Sequence, residues 1–310
     1  MGRFLLKNPK KSVLKYFEPV DVTNILKNDF NSDDISESFG YFAHLPKKNK
    51  LFLNVYSIEK LTGIMNKSGL TDHLKSKGYN NLLVDIDIDE ALIYYLKIYN
   101  DDRTPDNLLI DLRLSDSRFV PDKRFFEPSN DIVTLDMVVI EWLSMQNPKG
   151  YFTKGRPQLP GQTRPGLGCL QYLMKMMYIV AEGVIKDGFL DVPDHMHGAV
   201  MYSRNFKFFD PSHEAILRAI MRDLKQYSLY DLSWGMITES IIDKSTGLPQ
   251  VYDPSEQLFP VSKRLKDYYK SKRYVKKFKK VYARKKYYMD VEKMQSRRIE
   301  MIRQKNPSDL

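Results

Sequence analysis

The stretch most suited to chemistry is the run 159–168, LPGQTRPGLG, which leads directly into a long apolar helical pattern. Gly166 and Gly168 leave backbone N–H groups accessible, and the dipole of the following helix adds partial positive charge at the same place. Arg164 adds a forked donor that suits a diphosphate. The run therefore predicts a phosphate cradle at a helix start. A plain turn is the alternative, because glycine and proline are common turn residues.

The segments around this run occur in a recognisable order. The strand-like VVIEWLSM precedes it, and a helical pattern over 168–186, the strand-like FLDV, the helical HGAVMYSRN and the strand-like FKFF follow. With QTRPGLG as its loop, this order resembles the GCN5-related N-acetyltransferase superfamily over residues 132–210. The resemblance implies an α/β fold like that of acyl-CoA N-acyltransferases, with a mixed, mostly antiparallel sheet and flanking helices.

The resemblance also implies a reaction, the transfer of an acyl group from acetyl-CoA or another acyl-CoA to an amine on a small molecule or a protein. Tyr202 matches the residue that protonates the departing thiolate, and Glu141 is the candidate base for the amine. The residues matched to the diphosphate loop are Gly166, Leu167, Gly168 and Cys169, with Gln162 or Arg164 ahead of them. The chain departs from the family in the spacing of that polar residue, in a long insertion before the loop and in carrying His195 where an asparagine is usual.

Two histidines offer a different chemistry. His195 and His197 are two positions apart and lie beside Asp194, and on a strand both rings would point to one side, as some metal sites require. This pattern leaves open a metal-dependent hydrolase. The flanking residues indicate a helix start, where positions two apart diverge, so we expect one histidine to line a pocket and the other to cap the helix or face water.

The acidic run LLVDIDIDE, residues 82–90, has two interpretations. Asp85, Asp87 and Asp89 would share one face of a strand and could hold Mg²⁺. The favoured interpretation is that Asp89 and Glu90 form the acidic first turn of a helix over 89–99.

The single cysteine, Cys169, would start the helix after the glycine-rich loop. A helix N-terminus lowers a thiol pKa, so a catalytic thiol is a minor alternative. No histidine lies near Cys169 in the sequence to act as its base.

The positive charge is concentrated at the C-terminus. The chain has 49 Lys and Arg against 39 Asp and Glu, but residues 262–310 carry 18 basic and 5 acidic residues, so the rest of the chain is net negative. Helical spacing places one apolar stripe on this segment, formed by Tyr268, Val275, Phe278, Tyr282 and Met289. The segment either docks on the protein through this stripe or contacts nucleic acid or an anionic membrane. A binding protein of the same fold that has lost catalysis is thus the alternative function.

The expected organisation has four parts. They are an N-terminal helical extension at 1–30, an acyltransferase-like domain at 31–230, a loop-rich connection at 231–261 and a basic aromatic helical arm at 262–310. FGYFAHLP and KLFLNVYSI are expected to pair as antiparallel strands. The lone cysteine and the lack of a long apolar run favour a cytoplasmic protein without a transmembrane segment.

Overall fold

The computed structural model describes residues 17–19, 51–122, 134–184 and 186–310. The strands described are β1 Phe17–Pro19, β2 Leu82–Ile88, β3 Tyr94–Asn100, β4 Leu108–Phe119, β5 Leu135–Met145, β6 Gly188–Asp191, β7 Lys207–Phe208, β8 Ile241–Asp243, β9 Gln257–Pro260 and β10 Tyr287–Met289. The α-helices described are α1 Ile58–Ser68, α2 Leu70–Ser76, α3 Leu170–Val184, α4 Met196–Tyr202, α5 Pro211–Asp223, α6 Leu229–Ile237, α7 Lys263–Lys270, α8 Lys272–Arg284 and α9 Val291–Gln304.

A sheet of eight strands forms the centre of the fold, in the order β2-β3-β4-β5-β6-β9-β7 with β1 paired beside β4. Strands β2 to β5 form an antiparallel meander. Strands β5 and β6 are parallel, and β9 pairs antiparallel with both β6 and β7. The expected α/β class with a mixed, mostly antiparallel sheet is confirmed.

The sheet is covered by helices on both sides. On one side, which we call the α3 face, Leu112, Leu114 and Ile140 pack in one apolar cluster with α1, α2 and α3. On the other, which we call the arm face, Met137 and Val139 pack with tyrosines of α7 and α8. Because side chains alternate along a strand, neighbouring positions of β4 and β5 supply both cores.

The helix expected over 89–99 is wrong, because a turn and strand β3 occupy these residues. Asp89 closes the turn: one carboxylate oxygen accepts the N–H groups of Ala91 and Ile93 and the other accepts the Tyr95 hydroxyl. From Tyr94 to Ile98 of β3 the buried residues alternate with half-buried ones, which is the period of a strand. The Asp89 carboxylate thus serves a hairpin and not a helix start.

The segment 231–261, expected to be a loop-rich connection, contains helix α6 and strands β8 and β9. Ser228 and Asp231 form a capping box at the start of α6. Trp234, within this helix, is 1% exposed. Strand β9 lies inside the main sheet. The loop composition that suggested a connection describes only the residues between β8 and β9.

The basic segment 262–310 docks on the domain. The hydroxyls of Tyr268, Tyr269 and Tyr274 donate to the carbonyl oxygens of Phe209, Lys207 and Phe208, respectively, in and just after β7. The expected single apolar stripe on one helix is wrong, because the helix breaks at Ser271, which caps α8, and Met289 lies in a strand. The segment is therefore part of the core.

Two other expectations fall near the N-terminus. Residues 17–19 form a strand where a helical extension was expected, and the rest of 1–30 lies outside the described residues, as does FGYFAHLP. In KLFLNVYSI, the expected partner of FGYFAHLP, the described residues 51–58 hold an isolated bridge between Phe52 and Tyr56 and, at Ile58, the start of α1. Among the described helices, none has both the length and the apolarity to cross a membrane.

Candidate functional site

The candidate site lies where two parallel strands separate. Residues 137–139 of β5 pair with 188–190 of β6, but β5 continues to Met145 while β6 ends at Asp191. Beyond the pairing, the free edge of β5 is met by the glycine-rich run, through an isolated bridge between Gln146 and Gly166. The loop thus lies at the end of β5, on the edge that β6 leaves unpaired.

The bridge decides which amide groups of the loop are free. Asn147 donates to the carbonyl of Pro165, and Leu167 donates to the carbonyl of Met145, so the N–H of Gly166 between them points away from β5. Among the described residues, the N–H groups of Gly166, Gly168 and Cys169 have no backbone acceptor. Gly166 and Gly168 are exposed. Two of the four predicted donors, those of Gly166 and Gly168, are therefore exposed and without a backbone acceptor. The Cys169 donor is buried, and the Leu167 amide is used within the fold.

The two polar candidates ahead of the glycines both have partners. Gln162 is part of a turn, in which its side-chain oxygen accepts the N–H of Leu159. Arg164 forms an ion pair with Asp106 at 2.8 Å, and the Asp106 side chain is 87% exposed. An exposed pair of this kind contributes at most about 1 kcal/mol, so the guanidinium can exchange Asp106 for another anion.

Cys169 is fully buried, and its sulfur lies 3.6 Å from the sulfur of Met145. Burial raises the pKa of the thiol to about 12. The carbonyl of Cys169 accepts the N–H groups of Tyr172 and Leu173 and so starts α3. A buried, protonated thiol does not support the minor alternative of a nucleophilic cysteine.

Glu141 is the extra residue of a β-bulge. Arg113 of β4 pairs with Trp142 and Leu114 pairs with Ile140, so Glu141 has no partner opposite it. Its carboxylate accepts the Ser115 hydroxyl at 2.5 Å. Because Ser115 points away from the neighbouring Leu114, the carboxylate lies on the arm face, where it is exposed to solvent.

Tyr202 ends helix α4 and packs on the other side, with the cluster of the α3 face. Its ring lies 5.2 Å from that of Phe206. Burial, and then the charge of Asp191, raise the pKa of the hydroxyl well above its usual value. Among the described residues the hydroxyl has no hydrogen-bond partner in the chain, so its proton is available to a ligand.

The sequence analysis missed Asp191, which ends β6 and is 9% exposed. Burial raises the pKa of its carboxyl to about 7, which suits proton transfer near neutral pH. Asp191 pairs across strands with Gln257 of β9, whose side-chain oxygen is buried without a partner among the described residues. Phe189 packs on the α3 face, so Asp191, two positions on, shares that face with Tyr202.

The two histidines stack on each other, with ring centroids 5.1 Å apart. Burial, and then the nearby His195, lower the pKa of His197 to about 4, so this ring is neutral. Gly161 of the loop lies so close to His195 that a methyl group there would meet its Nε2 at 2.8 Å. Within the described ranges, no group of three His, Cys, Asp or Glu side chains could hold a metal ion.

The structure thus brings Tyr202 and Asp191 together at the end of β6 and Gly161 beside His195. It places Gly166 and Gly168 at the end of β5 and Glu141 on the opposite side of the sheet from Tyr202. No signal in the sequence marked Asp191, because its burial depends on β9, far along the chain. Comparison of the chain with protein-family models, with curated proteins and with solved structures finds no match.

Proposed function

We propose that the protein transfers an acyl group, acetyl or a related one, from an acyl-CoA to an amine. The observation that supports the proposal is the pair of exposed N–H groups at Gly166 and Gly168 without backbone acceptors, located at the end of β5 and directly before α3. Backbone donors at the start of a helix are suited to a diphosphate. The element order β5, loop, α3, β6, α4 and β7 agrees with the order that the resemblance requires.

The reaction needs two proton transfers. The amine must lose a proton before its nitrogen attacks the thioester carbon, and the sulfur that leaves when the C–S bond breaks takes up a proton. The Tyr202 hydroxyl keeps its proton at neutral pH and is the candidate donor for the second transfer. Glu141 and Asp191 are the two candidates for the first. Glu141 is exposed but lies on the arm face, whereas Asp191 shares the α3 face with Tyr202.

The proposal is tested by following release of CoA thiol from acetyl-CoA with a panel of primary amines. The buried Cys169 will not add to the thiol signal of the native protein. We expect turnover that falls about 10²-fold or more in Tyr202→Phe, because the Phe variant removes only the proton donor. Comparison of Glu141→Gln with Asp191→Asn identifies the base. Amine-dependent turnover that is unchanged in Tyr202→Phe would contradict the role given to Tyr202, and its absence with every amine would contradict the proposal.

A non-catalytic binding protein of the same fold is the second candidate, favoured by the charge of residues 262–310. It predicts binding of a polyanion without turnover of acetyl-CoA. The metal-dependent hydrolase based on His195 and His197 gains no support, since the described residues contain no three-ligand group around them. Measurement of bound zinc in the purified protein tests this third candidate directly.

A further inference from the structure

The solvent side of α8 carries an unusual concentration of positive charge. Its exposed cations are Lys272, Arg273, Lys276, Lys277, Lys279, Lys280 and Arg284. No acidic residue occurs between Tyr268 and Met289. Cations at positions four apart, such as Lys276 and Lys280, repel each other by about 0.2–0.5 kcal/mol per pair, and this helix has no carboxylates to offset that cost.

Neighbouring cations of the same segment are neutralised. Lys263 pairs with Asp267, Lys285 with Asp243 and Arg297 with Glu239. Among the described residues, the five lysines of the α8 surface and Arg284 form no ion pair within the chain. The charge of α8 is therefore available to a ligand, whereas the charge of α7 and α9 is partly used within the fold.

The apolar side of α8 is already committed to the core. Tyr274 and Val281 are buried, and the ring of Phe278 stacks on Tyr282 at 5.5 Å. A helix that lies in a membrane interface must place such residues among the lipid chains. Since the apolar residues of α8 face the protein, only charged stems remain on its outer side, and this favours an anionic polymer over a lipid bilayer.

We propose that the outer side of α8 binds the phosphate backbone of a nucleic acid duplex. A helix of 13 residues is about 20 Å long, and duplex DNA carries about one charge per 1.7 Å of its axis, so several lysines can reach phosphates together. The exposed positions of α8 are lysines and arginines, apart from Ala283, and such cations bind phosphates of any base sequence. We expect binding to be governed by the phosphate backbone, and it does not depend on the proposed acyl transfer.

The test is fluorescence anisotropy of a labelled 20-base-pair duplex of arbitrary sequence, as DNA and as RNA, titrated with the full-length protein without acyl-CoA at several salt concentrations. We expect binding that weakens steeply with salt. In the triple variant Lys276→Gln, Lys277→Gln and Lys280→Gln, affinity should fall at least 10-fold at low salt. The slope of log K against log salt should fall by up to about 0.9 for each lost phosphate contact with DNA.

The matched control is the triple variant Lys60→Gln, Lys67→Gln and Lys75→Gln, which makes the same charge change on exposed lysines of α1 and α2. It should bind as the wild type does. Equal losses in both triple variants would mean that net charge alone drives binding and would overturn the proposal. So would the absence of binding to either duplex at 50 mM salt, or binding to phosphatidylserine vesicles but not to duplexes.

Discussion

Asp191 and His197 are both held in their neutral forms by burial near the carboxyl end of β6. The same cause acts on the two groups in opposite directions, since burial raises the pKa of an acid and lowers that of a base. Each residue should therefore leave its own signature in the dependence of stability on pH. These signatures test the geometry of the site without any substrate.

For Asp191 the folded-state pKa of about 7 lies above the ordinary value of 3.8. The stabilisation by the neutral carboxyl is complete below about pH 4 and is lost as the pH rises through 7, because the unfolded chain gives up its proton first. Asp191→Asn removes this loss. In urea unfolding, the free energy of unfolding of the variant should exceed that of the wild type by about 2–4 kcal/mol at pH 8, and by less at pH 5. An equal difference in unfolding free energy between variant and wild type at the two pH values would contradict the burial of Asp191.

For His197 the folded-state pKa of about 4 lies below the ordinary 6.5. Stability is therefore lost as the pH falls from 6.5 through 4, where the unfolded chain takes up the proton first. In His197→Gln we expect the change in unfolding free energy between pH 7 and pH 5 to be smaller than in the wild type by about 2 kcal/mol. The pH-dependent change in unfolding free energy is compared, because replacing the imidazole by an amide also changes the stability at every pH. An unchanged slope would show that the ring is solvated.

Residues of the site could be predicted from the sequence only where the neighbouring sequence determines their position. The glycines at 166 and 168 follow from the local pattern before α3, and Tyr202 follows from the resemblance, which covers one continuous region. Asp191 could not be found in this way, because its burial results from pairing with β9 and Gln257. The wrong helix at 89–99 has a different cause, as Asp89 supports a hairpin turn as well as it would a helix start.

At the scale of elements, three tyrosines attach the C-terminal helices to β7 and the residue after it. In Tyr274→Phe the carbonyl of Phe208 loses its bond from the hydroxyl. A buried acceptor left without a donor costs about 1–3 kcal/mol, and urea unfolding should show a loss of this size. Tyr288→Phe, at a position that is 46% exposed, is the control and should change stability by less than about 0.5 kcal/mol. Equal effects of the two variants would contradict the docking.

Strand β6 passes so close to β9 that only glycine fits at its first residue. A methyl group on Gly188 would overlap the carbonyl oxygen of Phe259. We expect Gly188→Ala to lower the thermal midpoint strongly, since strands β6 and β9 must move apart. Gly155→Ala, where a methyl group meets no atom within 4 Å, is the matched control. A midpoint in Gly188→Ala equal to that of the control would argue against the observed strand register.

At the scale of the whole molecule, the basic C-terminal segment is part of the fold and not an appendage. Arg264 neutralises Asp187, whose side chain is 6% exposed, and the tyrosines of α7 and α8 fill the core on the arm face. A chain that ends at residue 261 would leave a buried carboxylate and an uncovered sheet face. We expect it to lack a cooperative thermal transition by circular dichroism. A cooperative transition near that of the full chain would contradict this.

The central claim is that the loop before α3 binds the diphosphate of CoA. Isothermal titration of CoA and acetyl-CoA tests it most directly, with Gly166→Glu as the variant, because a side chain at Gly166 meets only the Met145 carbonyl, at 3.7 Å. Gly155→Glu adds the same charge to the insertion before the loop and serves as control. The account predicts saturable binding by the wild type and the control, and its loss in Gly166→Glu. No binding by the wild type, or equal binding by all three proteins, would contradict it.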